Sequence, residues 1–476
     1  MHALLARCAN VPTCAEFRPG PYVLSVLLAV NLLCWSTMVR AQTAGPVTQP
    51  QTTETTTEQP EPVAPETWAI HGQTTTTWLL QPAFRSAYQG PQSLSSAANG
   101  RETIDATLYL GYRPWQGAEI WINPEIDQGF GLGNTFGVAG YVSGEAYKLG
   151  QTDPYYQMPK AFFRQTINLG GESEKIDPDL NQLGGSQTAD RVVFTVGKYS
   201  VVDIFDTNKY AHDPRNDFLN WSIIDQGAFD YAANAWGYTY GAAAEWYQDW
   251  WTGRAGVFDL SAVPNGLNLS PGVHQGQFVT ELEERHTLWD QPGKLKLLYW
   301  LTWGDLGTYT DAIALGQAMG TTPSTAAVRS FRTKSGVGLN LEQQLTSDLG
   351  LFARASMSQG NVEEVDFTDI NQSVSAGLSL TGSRWGRPDD TVGLAGVVNR
   401  ISHAGKLYLA AGGLGGIIGD GQLPNAGPER ILEAYYSVPV FSFAHITADY
   451  QCVDNPAYNR DRGPVSIFAI RTHVEF

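Results

Sequence analysis

The stretch SIFAIRTHVEF, residues 466–476, decides the fold. Its even positions Phe468, Ile470, Thr472, Val474 and Phe476 are apolar or tolerant of lipid, while Ala469, Arg471, His473 and Glu475 between them are mostly polar. Side chains of a strand alternate faces with period 2, so one face of this segment is greasy and the other carries charge of both signs. Its length also suits a tilted strand crossing a bilayer. A soluble sandwich would alternate in the same way, so the decision rests on whether other segments repeat the pattern.

They do. From Thr103 to Arg113 the apolar set is Ile104, Ala106, Leu108, Leu110 and Tyr112, set against Thr103, Asp105, Thr107 and Arg113. From Lys294 to Trp303 it is Leu295, Leu297, Tyr299, Leu301 and Trp303, opposite Lys294, Lys296, Trp300 and Thr302. Val337, Leu339 and Leu341 oppose Asn340 and Glu342; Leu349, Leu351, Ala353, Ala355 and Met357 oppose Arg354 and Ser356; Tyr238, Tyr240, Ala242, Ala244 and Trp246 oppose Thr239 and Glu245. Each segment is a weak signal, but many of them joined by Gly, Asn and Asp turns form the signature of an outer-membrane barrel. A soluble barrel buries its apolar face and has no use for aromatic residues at strand ends such as Tyr112, Trp303 and Phe476; a membrane barrel inverts the faces and wears aromatic girdles.

Composition and targeting agree with that reading. The 476 residues carry a formal charge of −17, which argues against nucleic acid as a partner. Charged residues make up only 16%, beside 50 Gly, 14 Trp, 21 Tyr and 19 Phe, the balance of a turn-rich β protein. Residues 1–41 read as an export signal: Arg7 and Arg18 precede the apolar run Tyr22 to Trp35, and Val39-Arg40-Ala41 fits a small-x-small cleavage site. Cleavage there would remove Cys8, Cys14 and Cys34 and leave Cys452 alone, so no intramolecular disulfide could form. No other apolar run approaches the length of a membrane helix. Residues 42–67, rich in Thr and Pro, cannot bury a core and are expected to be a disordered tether. The barrel is expected to occupy residues 68–476. Two segments, Gly129–Gly150 and Lys198–Trp221, are too long and too rich in turn formers for hairpins and are expected to fold inward and narrow a pore.

Several blocks resemble the carbohydrate-selective porin family of Gram-negative outer membranes, often called OprB-like. They are GAEIWINPEIDQGFGLGNTFGVAGY from Gly117, EAYKLG from Glu145, FFRQTINLGGE from Phe162, VGKYSVVDIFDTNKYAHDPRNDFLNW from Val196, GGIIGDG from Gly415, EAYYSVPV from Glu433 and the run from Asp449 to Phe476. The resemblance covers most of the chain in order. It implies an all-β, transmembrane antiparallel barrel of sixteen strands with infolded constriction loops, and passive diffusion of glucose and other mono- and oligosaccharides. The implied partners are outer-membrane lipid and the barrel assembly machinery, which reads a terminal aromatic such as Phe476; a homotrimer is left open. The Thr/Pro-rich tail and a Thr/Ala-rich insert near Met319 to Val328 depart from the family's pattern.

Sugars are neutral polyols with apolar faces, so a selective constriction needs polar groups of both signs and aromatic rings. The candidates are Trp121, Glu125, Glu145, Lys148, Arg164, Asp203 and Arg215. Parity puts Arg164 inward with Phe162, Thr166 and Asn168. Against each stands a plainer role: Glu125 can brace the wall by pairing with Arg164, Asp213-Pro214-Arg215 is first a turn signature, and Trp121 is more often a packing residue than a stacking platform. No cofactor or metal site is expected, and the scattered histidines form no HExxH pair. The rival class is an outer-membrane or secreted carbohydrate-active enzyme, for which Glu281, Glu283 and Glu284 would be the carboxylates, although a solvated strand end explains them as well. A soluble binding module of the export pathway is a second rival.

Overall fold

The computed structural model describes residues 65–146 and 150–476. The expected export signal, nearly all of the expected tether, and Lys148 lie outside the described residues. Among those described, sixteen strands close into one antiparallel barrel in which every strand pairs with its sequence neighbours and the first pairs with the last. They are β1 (Trp68–Gln81), β2 (Asn99–Tyr112), β3 (Ala118–Gly129), β4 (Gln151–Ile176), β5 (Gly185–Tyr199), β6 (Thr239–Tyr247), β7 (Trp251–Asp259) and β8 (Gly276–Leu288). The second half comprises β9 (Gln291–Leu306), β10 (Ser330–Gln344), β11 (Leu349–Ser358), β12 (Gln372–Gly382), β13 (Arg387–Arg400), β14 (Glu429–Phe441), β15 (Ala444–Asp454) and β16 (Val465–Glu475). Closure leaves no edge, so every strand's backbone groups find partners without water.

Exposure along the strands is inverted relative to a soluble protein. On β16 Phe468 and Ile470 are exposed while Ala469, Arg471 and His473 are buried. On β9 Leu297 is 53% exposed whereas its neighbour Lys296 is 1% exposed. An apolar exterior and a polar interior match lipid outside and a filled lumen inside. Parity therefore assigns the faces correctly along all the dyads, with one exception: Tyr238 precedes β6 and lines the interior cavity instead of the lipid face.

The two rims differ. One carries the start of β1, the end of β16 and the short turns 113–117, 177–184, 248–250, 289–290, 345–348, 383–386 and 442–443. Trp68, Tyr112, Trp115, Trp289, Phe441 and Phe476 are exposed there, an aromatic girdle. The other rim carries the long loops L1 (82–98), L2 (130–150), L3 (200–238), L4 (260–275), L5 (307–329), L6 (359–371), L7 (401–428) and L8 (455–464). L3 contains the one-turn helix α1 (Trp221–Ile224), whose cap Asn220 accepts from the Ser222 N–H at 3.1 Å. L5 contains α2 (Tyr309–Met319) and L7 contains α3 (His403–Ala410).

L3 folds into the barrel, and its burial explains most of the inward charge. Glu281 accepts from the Asp206 N–H at 2.8 Å and Glu342 from the Lys209 N–H at 2.9 Å. Arg354 donates to the carbonyls of Ala211 (2.7 Å) and Ile223 (2.8 Å) and pairs with Asp206 at 3.2 Å. Arg471 donates to the carbonyl of Asp217 at 2.9 Å, and Glu433 accepts from the N–H groups of Leu219 and Asn220. L2 is held in the same way, Glu429 accepting from Ala139 (2.9 Å) and Gly140 (2.7 Å). A buried loop must have its backbone polar groups satisfied, and wall side chains of matching charge do so with charge-assisted bonds. L3 thus runs as a strap from the wall near β10 and β11 to the wall near β14 and β16.

Candidate functional site: the aperture beside the strap

Three acidic residues from different elements converge on the tip of the strap. Arg215 of L3 places Nη2 3.1 Å from Asp105 Oδ2 on β2 and 3.6 Å from Glu125 Oε2 on β3, with Nε 2.9 Å from Glu145 Oε1 on L2. Tyr109 accepts from Nη1 at 3.4 Å. The turn expected at Asp213-Pro214-Arg215 aims Arg215, and it is an Asx turn: Asp213 Oδ1 accepts from the Arg215 N–H at 2.9 Å. Burial alone would lower the guanidinium's pKa, but Glu145, Asp105 and the other anionic neighbours more than reverse that and hold it charged. With a fifth of its side chain exposed, Arg215 is both brace and surface.

That surface borders a cavity of about 350 Å3. Around it stand Arg215 and Glu145, Lys160 paired with Asp203 at 2.7 Å, and the rings of Trp236 and Tyr238. Asp203 also closes a capping box at the start of the strap, accepting from the Ser200 N–H at 3.0 Å. His212 on the strap lies 3.6 Å from Asp225, an ion-pair distance. Burial lowers the His212 pKa, but Asp225 outweighs it and the net direction is upward. Asp217 behind it is pushed up to about 6 by burial and by the charge of Asp213. Hydroxyl-binding groups of both signs beside aromatic rings can hold a neutral polyol weakly.

The sequence candidates divide accordingly. Glu125, Glu145 and Arg215 form one cluster, and Asp203 lies on the same cavity. Arg164 points inward, but toward the short-turn rim: it pairs with Glu119 at 3.4 Å and donates to the Asn181 carbonyl at 2.9 Å. The Glu125–Arg164 brace is therefore replaced by two others, because the β3–β4 register sets Glu119 opposite Arg164 and Glu125 opposite Gln157. Trp121 is fully buried, donates to Glu119 at 3.0 Å and lies across Gly111, where a Cβ would come within 2.5 Å of the ring. It packs the wall. Sequence reasoning missed Tyr109 and Lys160, although both have inward parity, Tyr109 with Asp105 and Lys160 with Arg164. It could not find Trp236 and Tyr238, which no strand period marks. Glu281 and Glu283 are buried on β8 and share Arg254 at 2.8 and 3.0 Å, so they are an ion-pair network and not the solvated strand end expected.

A closed barrel with a lipid-compatible exterior and an infolded strap bordering a polar cavity fits an outer-membrane channel of the porin class. The chain belongs to the carbohydrate-selective porin, OprB family, whose pattern matches residues 91–476. Among solved structures it is similar to the high-pH structure of Pseudomonas putida OprB, with 15% identity, a TM-score of 0.64, and coverage of 86% of this chain and 94% of that one. It also matches Acinetobacter baumannii OccAB1, with 12% identity, a TM-score of 0.47, and coverage of 86% of this chain and 96% of that one. No curated protein matches its sequence. Family and fold place it in the outer membrane and point to a channel rather than an enzyme.

Proposed function

We propose that this porin passes glucose and other small carbohydrates down their gradient into the periplasm, through a weak saturable site at the aperture and without covalent chemistry. The observation that carries this is the pairing of opposite charges with rings on one cavity: Arg215 with Glu145, Lys160 with Asp203, and beside them Trp236 and Tyr238. Paired charges present hydrogen-bonding groups for hydroxyls while keeping the lining from a single sign, which a strongly ion-selective pore would need. On this reading the short-turn rim faces the periplasm and the long loops face outside. The expected export signal of residues 1–41 would deliver the chain, and residues 42–67 would hang as a tether on the periplasmic side.

Proteoliposome swelling tests it. Vesicles containing the purified protein should swell in isotonic glucose faster than in an isotonic sugar too large for the aperture, and conductance should fall saturably as glucose is added. Absence of both effects would reject sugar passage, and release of hydrolysis products from an oligosaccharide would favour the enzyme alternative.

A further inference from the structure

A second cavity, of about 580 Å3, lies among the loops of the long-loop rim. The Thr/Ala-rich segment near Met319 to Val328 forms one side of it, through Thr322, Ser324 and Ala326, all exposed. The segment is a built wall. It leaves α2 through the left-handed cap Gly320, buries Pro323 and Thr325, and the Thr325 N–H points at the Tyr408 hydroxyl at 3.4 Å. The Tyr408 ring in turn packs on Tyr309 at 5.0 Å.

The other sides carry a fixed fork and apolar patches. Arg329 Nε and Nη2 lie 2.8 and 3.0 Å from Glu363 Oε1 and Oε2, and Glu363 is itself held by the Gly307 N–H at 2.6 Å. Phe136, partly buried, and Leu414, 39% exposed, supply apolar surface. The remaining charges are spent: Glu364 pairs with Lys334, and Asp369 accepts from Gly416, Ile417 and Ile418. Among the described lining residues every cation thus has its carboxylate, which disfavours an anion as occupant. A guanidinium–carboxylate fork facing a ring and a leucine suits a neutral polyol with an apolar face.

The two cavities share a wall. In L6, Glu363, Glu364 and Asp369 line the outer one while Phe367 lines the aperture. We propose that the outer cavity is a saccharide subsite, holding one end of an oligosaccharide before it passes the aperture, with residues 320–328 setting its selectivity. This rests on the sugar-channel reading.

Planar-bilayer block distinguishes the two. Maltotriose and glucose are added to the long-loop side of channels made from the parent, Ala326→Trp, which fills the cavity from an exposed position, and Arg329→Gln, which breaks the fork. The half-blocking maltotriose concentration should rise at least about tenfold in both variants, with glucose block and sugar-free conductance kept close to parental. Parental maltotriose block in both variants, with the parent itself blocked, would overturn the outer subsite and leave the aperture reading standing. A parent that neither sugar blocks would overturn both.

Discussion

Arg215 sets one guanidinium against the carboxylates of Asp105, Glu125 and Glu145. Arg215→Ala would leave three acids crowded at the aperture. Removing one partner of a largely buried charge group costs roughly 3 kcal/mol. Part of that cost will be relieved by protonation of one acid, so the barrel should still assemble. The expected outcome is a shift toward cation selectivity in reversal-potential measurements and glucose block weakened by about tenfold, or about 1.4 kcal/mol. Arg164→Ala is the contrast. Arg164 does not itself line the cavity but pairs with Glu119 and holds the carbonyl of Asn181, which does, so its loss should weaken glucose block by no more than about twofold, less than the loss of Arg215. Arg164 was legible as inward-facing from its parity, and Arg215 only as part of a long loop expected to fold inward. Their partners were not, because parity says which face a side chain takes, whereas register and the course of L3 say whom it meets. Equal effects of the two substitutions on block would show that the Arg215 cluster is not the selective point.

At the scale of the element, L3 is a buried loop whose backbone is capped by wall charges. Glu433 shows what this requires: its two oxygens accept from two successive N–H groups, those of Leu219 and Asn220. Glu433→Gln keeps the shape but turns an NH2 toward one of them, so one buried donor goes unpaired at a cost of roughly 1–3 kcal/mol. The strap should loosen there, visible as larger current noise and weaker sugar block in single-channel records with no loss of barrel yield. The pH dependence follows from His212 on the same strap. Its folded pKa lies above the ordinary value of about 6.5, so the ion pair with Asp225 is fully present below that value and is lost as pH rises through the folded one. Raising pH from about 5.5 to about 8.5 should therefore increase open-channel noise, and His212→Asn should remove the difference; an unchanged pH response in the variant would exclude this pair as its source. The sequence showed L3 as a long polar insertion bound inward. It could not show that Arg354, Glu342, Lys296 and Arg471, which parity placed on the polar faces, are occupied in holding it, Lys296 by donating to the Thr207 hydroxyl at 2.7 Å.

For the whole molecule the legible part is large because closure depends on period and on the ends, both written locally. The outward set Phe468 and Ile470 against inward Arg471 and His473 was readable from β16 alone, and the repeated dyads made it a barrel. The seam where β1 meets β16 tests this. Gly72 of β1 and Phe476 exchange both backbone hydrogen bonds, N–H to carbonyl in each direction at 3.0 Å, and the phenyl ring lies over Gly72, where a Cβ would come within 2.6 Å. The ring is otherwise 61% exposed on the girdle of the short-turn rim. Deleting Phe476 removes the ring and leaves the Gly72 N–H and carbonyl unpaired near lipid, where an unmet backbone group costs several kcal/mol. Phe476→Ala removes the ring alone. If the terminal aromatic acts as the assembly address, both changes should lower the heat-modifiable, folded fraction in outer membranes several-fold; glucose block in the channels that do form is a separate readout, because Gln73 beside Gly72 donates to Asp105 of the Arg215 cluster. If only the backbone pair matters, Phe476→Ala will assemble normally and the deletion will not. Normal assembly of both would remove Phe476 from any role in insertion.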